Sequence, residues 1–141
     1  MKVVIASDHG GYQLKEELKA FIAELGHEVA DYGAHTQDPV DYPDFAFLVA
    51  EAVAAGAADR GVMIDGIGAA SAIVANKVPG IRAASCSDTF TAAMSRAHND
   101  ANVLTLGARV IGSGLAREIV KVWLAAEFEG GRHMRRVSKV L

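Results

Sequence analysis

Five short apolar runs recur along this chain, and a longer segment of helical periodicity follows each of the first four and the last. The runs are KVVIAS (2–7), HEVADYG (27–33), GVMID (61–65), IRAASC (81–86) and ANVLTLG (101–107). Between them, YQLKEELKAFIAELG (12–26) sets Leu14, Leu18, Phe21, Ile22 and Leu25 at helical spacing, and Gly26 supplies a stop. FAFLVAEAVAAG (45–56), ASAIVANKV (70–78), TFTAAMSRAHND (89–100) and GLAREIVKVWLAAEFE (114–129) read as four further helices. Pro79-Gly80 ends the third of the five helices, and Ser87-Asp88 caps the fourth. GVMID is apolar nearly throughout, as a central parallel strand buried on both faces must be. Strands alternating with helices predict an α/β fold: a three-layer α/β/α, doubly wound, five-stranded parallel sheet of Rossmann-like type. The whole of 1–141 is expected to form one domain, with HTQDPVDYPD (35–44) a polar loop and 130–141 a basic tail.

Composition narrows the function classes. The net charge of -3 gives no general attraction to nucleic acid or to anionic lipid. No apolar run is long enough to span a bilayer. The single cysteine, Cys86, forbids an internal disulfide, and with no signal-peptide pattern before KVVIAS the expected setting is the cytoplasm.

In a doubly wound fold the ligand lies beyond the carboxyl ends of the strands. The residues to weigh there are Ser7 to Gly11, Asp65 to Gly68, Ser85 to Asp88 and Gly107 to Arg109. A dinucleotide site fails because Ser71 stands where the third glycine of the fingerprint belongs, and because the turn follows the third strand. A phosphoacceptor site fails because no lysine follows the fifth strand and only one acid, Asp8, follows the first. An enzyme acting on a small phosphorylated molecule fits better. Gly66 and Gly68 let backbone N–H groups approach an anion, a phosphate or an enediolate. Arg132, Arg135 and Arg136 offer guanidinium forks to phosphate oxygens, beside His133. His9 and His98, read as sharing a sheet edge with the glycine turns and arginines, suit general acid–base chemistry. No pair of side chains has metal-ligand spacing, so neither a metal nor another cofactor is expected.

Taken in order along the chain, these motifs resemble the family of ribose-5-phosphate isomerase B and the galactose-6-phosphate isomerase subunits. The resemblance rests on Ser7-Asp8-His9-Gly10-Gly11, Asp41-Tyr42-Pro43, Gly66-Ile67-Gly68, Ala75-Asn76-Lys77, Gly80-Ile81-Arg82, His98-Asn99, Gly107-Ala108-Arg109-Val110, and Glu129-Gly130-Gly131-Arg132-His133 with Arg136. It implies a metal-independent aldose–ketose isomerase of a phosphorylated sugar, working through an enediolate. Ribose 5-phosphate and ribulose 5-phosphate are the leading pair. By position, Asp8 and His9 would contact the sugar. The loop Gly66, Ile67, Gly68, Ala69 and Ala70 would hold the enediolate oxygens. His98 would assist ring opening, and Asn99 would bind a hydroxyl. Arg109, Arg132 and Arg136 would take the phosphate, with Tyr42 and His133 nearby. The family also implies a homodimer or a dimer of dimers, with the site shared between subunits and the tail 130–141 contributing to the site or the dimer interface.

The chain departs from that pattern in VMIDGIGAAS (62–71). Many family members keep a catalytic cysteine at the place of Asp65 and a hydroxyl residue at the place of Ile67, and another branch keeps a glutamate at the place of Ser71. Ile64-Asp65 and Gly68-Ala69-Ala70-Ser71 look instead like the galactose-6-phosphate isomerase subunit that works beside a second subunit. Three readings stay open: Asp65 is the base, a cysteine-bearing paralogue completes the site, or the chain binds a sugar phosphate without turning it over.

Overall fold

The computed structural model describes residues 1–140. Leu141, the last residue of the basic tail, lies outside the described residues. The chain forms β1 (Lys2–Ser7), a single 3₁₀ turn (His9–Gly11), α1 (Tyr12–Glu24), β2 (Glu28–Asp31), α2 (Tyr42–Ala54) and β3 (Arg60–Asp65). It continues through α3 (Ala69–Ala75), β4 (Ala83–Ser85), α4 (Thr89–Ala97), β5 (Val103–Gly107), α5 (Ser113–Ala125) and α6 (Arg132–Val137). The five strands make one parallel sheet in the order β2-β1-β3-β5-β4.

Strand pleating sends alternate side chains to opposite faces. Val3, Ile5, Val62, Ile64, Leu104 and Leu106 meet α1, α4 and α5 through Leu18, Ile22, Ala92, Ile119 and Trp123. Val4, Ala6, Met63 and Val103 meet α2 and α3 through Ala46, Val49, Ala50 and Ala75. The second core is lined mostly by alanine and valine, so α2 lies close to the sheet. This is the expected three-layer, doubly wound arrangement. The strand order reverses between β1 and β3: α1 leaves β1 toward one face, and α3 leaves β3 toward the other. Their carboxyl ends therefore open a crevice.

Element ends differ from the sequence expectations for local reasons. The segment 35–44, read as loop to its end, gives its last three residues to α2, which begins at Tyr42 with Pro43 in its first turn. Proline fits there because the first-turn N–H groups have no intrahelical acceptor. The basic tail, read without structure, coils into α6 after Gly130 and Gly131, both at positive φ. The last long helix stops at Ala125, where Ala126 turns extended at ψ 138°. Asp88 caps α4 as expected, accepting from the Thr91 N–H at 2.6 Å.

Candidate active site

The crevice between β1, β3 and β5 is built on one peptide, that of Gly68. Its N–H donates to Asp65 Oδ1 at 2.6 Å, and its carbonyl accepts from Thr105 Oγ1 at 2.7 Å. Gly68 sits at φ +90°, and a Cβ there would lie 2.9 Å from Ser85 Oγ and 3.1 Å from the Leu106 carbonyl carbon. Only glycine satisfies both the torsion and the space. The main chain of the neighbouring turn is tied in as well: Ala108 N–H donates to the Asp65 carbonyl at 2.9 Å, and Arg109 N–H to the Gly66 carbonyl at 3.0 Å. The turn is thus held by β5 and the loop after it, and the first-turn N–H groups of α3 at Ala69, Ala70 and Ser71 have no acceptor earlier in the helix.

Asp65 is 4% exposed at the end of β3. One carboxylate oxygen is committed to the turn, and the other accepts no hydrogen bond from the described residues. Ile67 is 66% exposed and, being a hydrocarbon side chain, offers no hydrogen-bond donor. Ser71 is fully buried, and its hydroxyl has no partner among the described residues. Cys86 also ends near this edge, but burial pushes its thiol up to about 11, so it supplies no thiolate at neutral pH.

Beside the turn, Asp8 Oδ1 accepts from the Gly11 N–H at 3.0 Å and so caps the 3₁₀ turn that carries His9. Val40 N–H donates to His9 Nδ1 at 3.1 Å, which leaves Nε2 as the protonated nitrogen of the neutral ring. Gly11 packs where a Cβ would meet the Ile64 carbonyl oxygen at 2.5 Å, so no side chain can separate this turn from β3. Tyr42 opens α2 on the same edge. Asp8, His9, Tyr42, Asp65 to Ala70 and Arg109 therefore gather at the carboxyl edge of the sheet.

His98 and its neighbours do not join them, which corrects the expectation that both histidines share one edge. α4 runs back against the strands, so its C-terminal residues, His98 to Asp100, come out at the amino edge just before β5. A five-residue strand separates the two edges by roughly 15 Å. At the amino edge a groove of about 580 Å³ is lined by Asn76, Ile81, Arg82, Ala83, His98, Asn99, His133, Arg136, Val137 and Val140. Asn99, His133 and Arg136 thus stand with His98, whereas Arg132, exposed on the first turn of α6, is not among the lining residues. The His98 and His133 rings stack at 4.2 Å with an 11° interplanar angle. Glu129 Oε2 lies 3.9 Å from His98 Nε2 and 3.6 Å from His133 Nε2. Desolvation, helped by Arg132 and His98, lowers the His133 pKa and so favours its neutral ring.

Sequence reasoning named Asn76 and Arg82 only within motifs and did not see the parts they play here. The Asn76 amide brackets Ala83, donating to its carbonyl and accepting its N–H, and so fixes the start of β4. Arg82 pairs with Asp100, which also pairs with Arg96 and so anchors the turn after His98. Thr105 was overlooked too. Its only signal in the sequence is a hydroxyl inside an otherwise apolar buried strand.

A family model described as Ribose/Galactose Isomerase matches residues 3–140. Ribose-5-phosphate isomerase B of Escherichia coli is 48% identical over 139 residues, covering 99% of this chain and 93% of that protein. D-erythrulose-4-phosphate isomerase of Pectobacterium atrosepticum is 42% identical over 142 residues, with 99% and 93% covered. The solved structure of Clostridium thermocellum ribose-5-phosphate isomerase B is 57% identical and superposes with a TM-score of 0.98, covering 99% of this chain and 95% of that one.

Proposed function

The chain belongs to the ribose/galactose isomerase family, and from that premise we propose that it is a cytoplasmic, metal-independent aldose–ketose isomerase whose leading substrate pair is ribose 5-phosphate and ribulose 5-phosphate. In the proposed reaction Asp65 removes the proton from C2 of the open-chain aldose and returns one at C1, while the proton of the C2 hydroxyl passes to the oxygen on C1, so that the carbonyl moves from C1 to C2. The backbone N–H groups from Gly66 to Ala70 hold the enediolate oxygens as charge develops on them. Asp8 and His9 position the sugar hydroxyls, and Tyr42 closes that end. His98 moves a proton during ring opening, and Asn99 binds a hydroxyl. Arg109, Arg132 and Arg136 take the phosphate, with His133 beside them.

The observation that carries this reading is the union, at the strand crevice, of a buried carboxylate with a glycine turn whose geometry does not depend on a ligand. Free aspartate, with a pKa of about 3.9, is a weak base. A carboxylate held in place beside a C–H made acidic by its carbonyl can still serve as the base.

Asp65 and His98 lie at opposite edges of one chain, so a site that uses both draws them from two chains. We read the active form as a homodimer or a dimer of dimers in which the amino-edge groove of one copy covers the carboxyl-edge crevice of another. Exposed apolar side chains near that crevice, Ile67 and Ile73, are of the kind such a contact would bury.

A panel of aldose and ketose phosphates of four, five and six carbons, incubated in D₂O with chelator-treated protein and followed by NMR, tests the reading. Deuterium entering at C2 of ribose 5-phosphate is the expected result. Faster exchange with a tetrose phosphate would move the substrate toward that of the Pectobacterium relative. A pure chain that binds these sugars yet exchanges none would favour dependence on a cysteine-bearing partner subunit, the reading prompted by Asp65 and Ile67 standing where relatives keep a cysteine and a hydroxyl.

A further inference from the structure

Three potential metal ligands from separate parts of the chain meet at the amino edge. His98 comes from the end of α4, His133 from the first turn of α6, and Glu129 from the segment before it. Their ligand atoms, one from each residue, all lie within 4.8 Å of one another. His133 Nε2 is buried and has no hydrogen-bond partner among the described residues. A buried ring nitrogen without a partner is uncommon in a folded protein and asks for an explanation. Glu129 Oε2 lies 3.6 Å away, too far for a good hydrogen bond.

We propose that His98, Glu129 and His133 form a binding site for a divalent transition metal of the zinc type, placed so that the bound ion blocks the sugar-phosphate groove. Two imidazoles and one carboxylate suit Zn²⁺, Co²⁺ or Ni²⁺, and are too nitrogen-rich for Mg²⁺ or Ca²⁺. Ligand atoms around tetrahedral zinc stand about 3.4 Å apart, given bonds of about 2.0–2.1 Å. The trio is within about 1.5 Å of that spacing. The Glu129 side chain, 57% exposed and followed by two glycines, has room to move toward the rings, and the rings, stacked at 11°, would turn out of parallel on binding to aim both lone pairs at one ion. Binding needs neutral imidazoles, so it is expected to weaken as the pH is lowered. Arg132 and Arg136 repel a cation, so the site is weaker than a structural zinc centre. With three protein ligands the fourth position is left to water. The ion sits beside Asn99 and Arg136 in the groove, where a sugar phosphate is proposed to lie.

This ion is an inhibitor and not part of turnover, so the inference goes beyond the isomerase reading. Only its blocking half rests on that reading. The test titrates metal-free, full-length protein with Co²⁺ at pH 7.5 and follows the visible absorption bands of the ion, then displaces it with Zn²⁺. The expected result is one Co²⁺ per chain, displaced by Zn²⁺, with affinity at least about tenfold lower in Glu129→Gln. Glu129 is exposed, so that variant keeps the fold, and circular dichroism checks it. No spectral change up to about 1 mM Co²⁺, or equal affinity in Glu129→Gln, overturns the site. For the blocking half, Zn²⁺ should inhibit sugar-phosphate exchange by the wild type and spare Glu129→Gln, whose metal-free activity should match wild type. Tight Zn²⁺ binding with unimpaired exchange overturns it. A protein that turns over no sugar phosphate removes the isomerase reading and leaves the cobalt result standing.

Discussion

Under the proposed reading Asp65 has two tasks at the same turn, and a single substitution can separate them. One oxygen accepts the Gly68 N–H at 2.6 Å, a structural duty that the carbonyl of asparagine can also perform. Removing a proton requires the carboxylate. Asp65→Asn should therefore keep thermal stability close to wild type and retain sugar-phosphate binding by calorimetry, while turnover falls by about 10²–10⁴-fold. Retained exchange in D₂O would rule out Asp65 as the base. Gly68→Ala should act differently. It places a non-glycine residue at φ +90° and drives a Cβ toward Ser85 and Leu106. We expect a loss of about 1–3 kcal/mol in urea unfolding, with turnover lost as well. The residues of this turn were legible in the sequence because glycines and a lone acid after a buried strand are distinctive. The grip on the carbonyl side was not, because one threonine in a strand does not reveal what its hydroxyl meets.

Elements of this fold carry their own electrostatic design, most clearly where α1 packs on β2. Lys15, fully buried, donates to both oxygens of Asp31 at 2.8 Å, and Lys19 adds a third bond at 2.9 Å. Burial alone would raise the Asp31 pKa, but these bonds and the Gly33 N–H outweigh it and bring it down to about 2. A depressed carboxylate pKa stabilises the fold at pH values above the unfolded value of about 3.9, and that contribution disappears as pH falls toward about 2. Asp31→Asn should destabilise the protein by about 1–3 kcal/mol at pH 7, because it leaves the buried Lys15 ammonium with Glu16 at 3.2 Å as its remaining carboxylate, and should flatten the loss of stability between about pH 4 and 2. Urea titrations across that range check both effects. Strands were easy to read because buried parallel strands are almost purely apolar; β1 falls where KVVIAS predicts it. The start of α2 was missed because Pro43 signals a loop as readily as a helix N-terminus. The edge occupied by His98 was also hidden. It follows from the doubly wound fold and not from the local motif: each connecting helix runs back against parallel strands, so a residue late in α4 reaches the amino edge, whereas glycine, arginine and histidine motifs read one by one carry no edge.

For the whole molecule, the separation of the two half-sites has a quantitative consequence under the two-copy reading. Asp65→Asn and His98→Gln should each nearly abolish exchange. Mixed after unfolding and refolded together, they should recover activity, since a hybrid pair carries one intact site and one doubly defective site. Random pairing of equal amounts makes half the dimers hybrid, for about a quarter of wild-type activity. No recovery from a mixture shown by mass spectrometry to contain hybrids would put both residues' roles within one chain and contradict the two-copy site. The same reading implies that activity per chain falls on dilution below the dimer dissociation constant, with sedimentation reporting the monomer.

The double grip on Gly68 also bears on how a new specificity could be bred into this scaffold. A turn clamped by Asp65 on one side and Thr105 on the other keeps its shape for every sugar presented to it, so variation at those three positions would mostly yield broken proteins. The side chains of Ile67 and Ala69 lie outside the clamp, and Ile67 faces solvent. A library that randomises these outward positions leaves the template rigid and varies only the surface that, under the proposed reading, the sugar carbons meet. It is there that selection for a shorter or longer substrate would find viable answers.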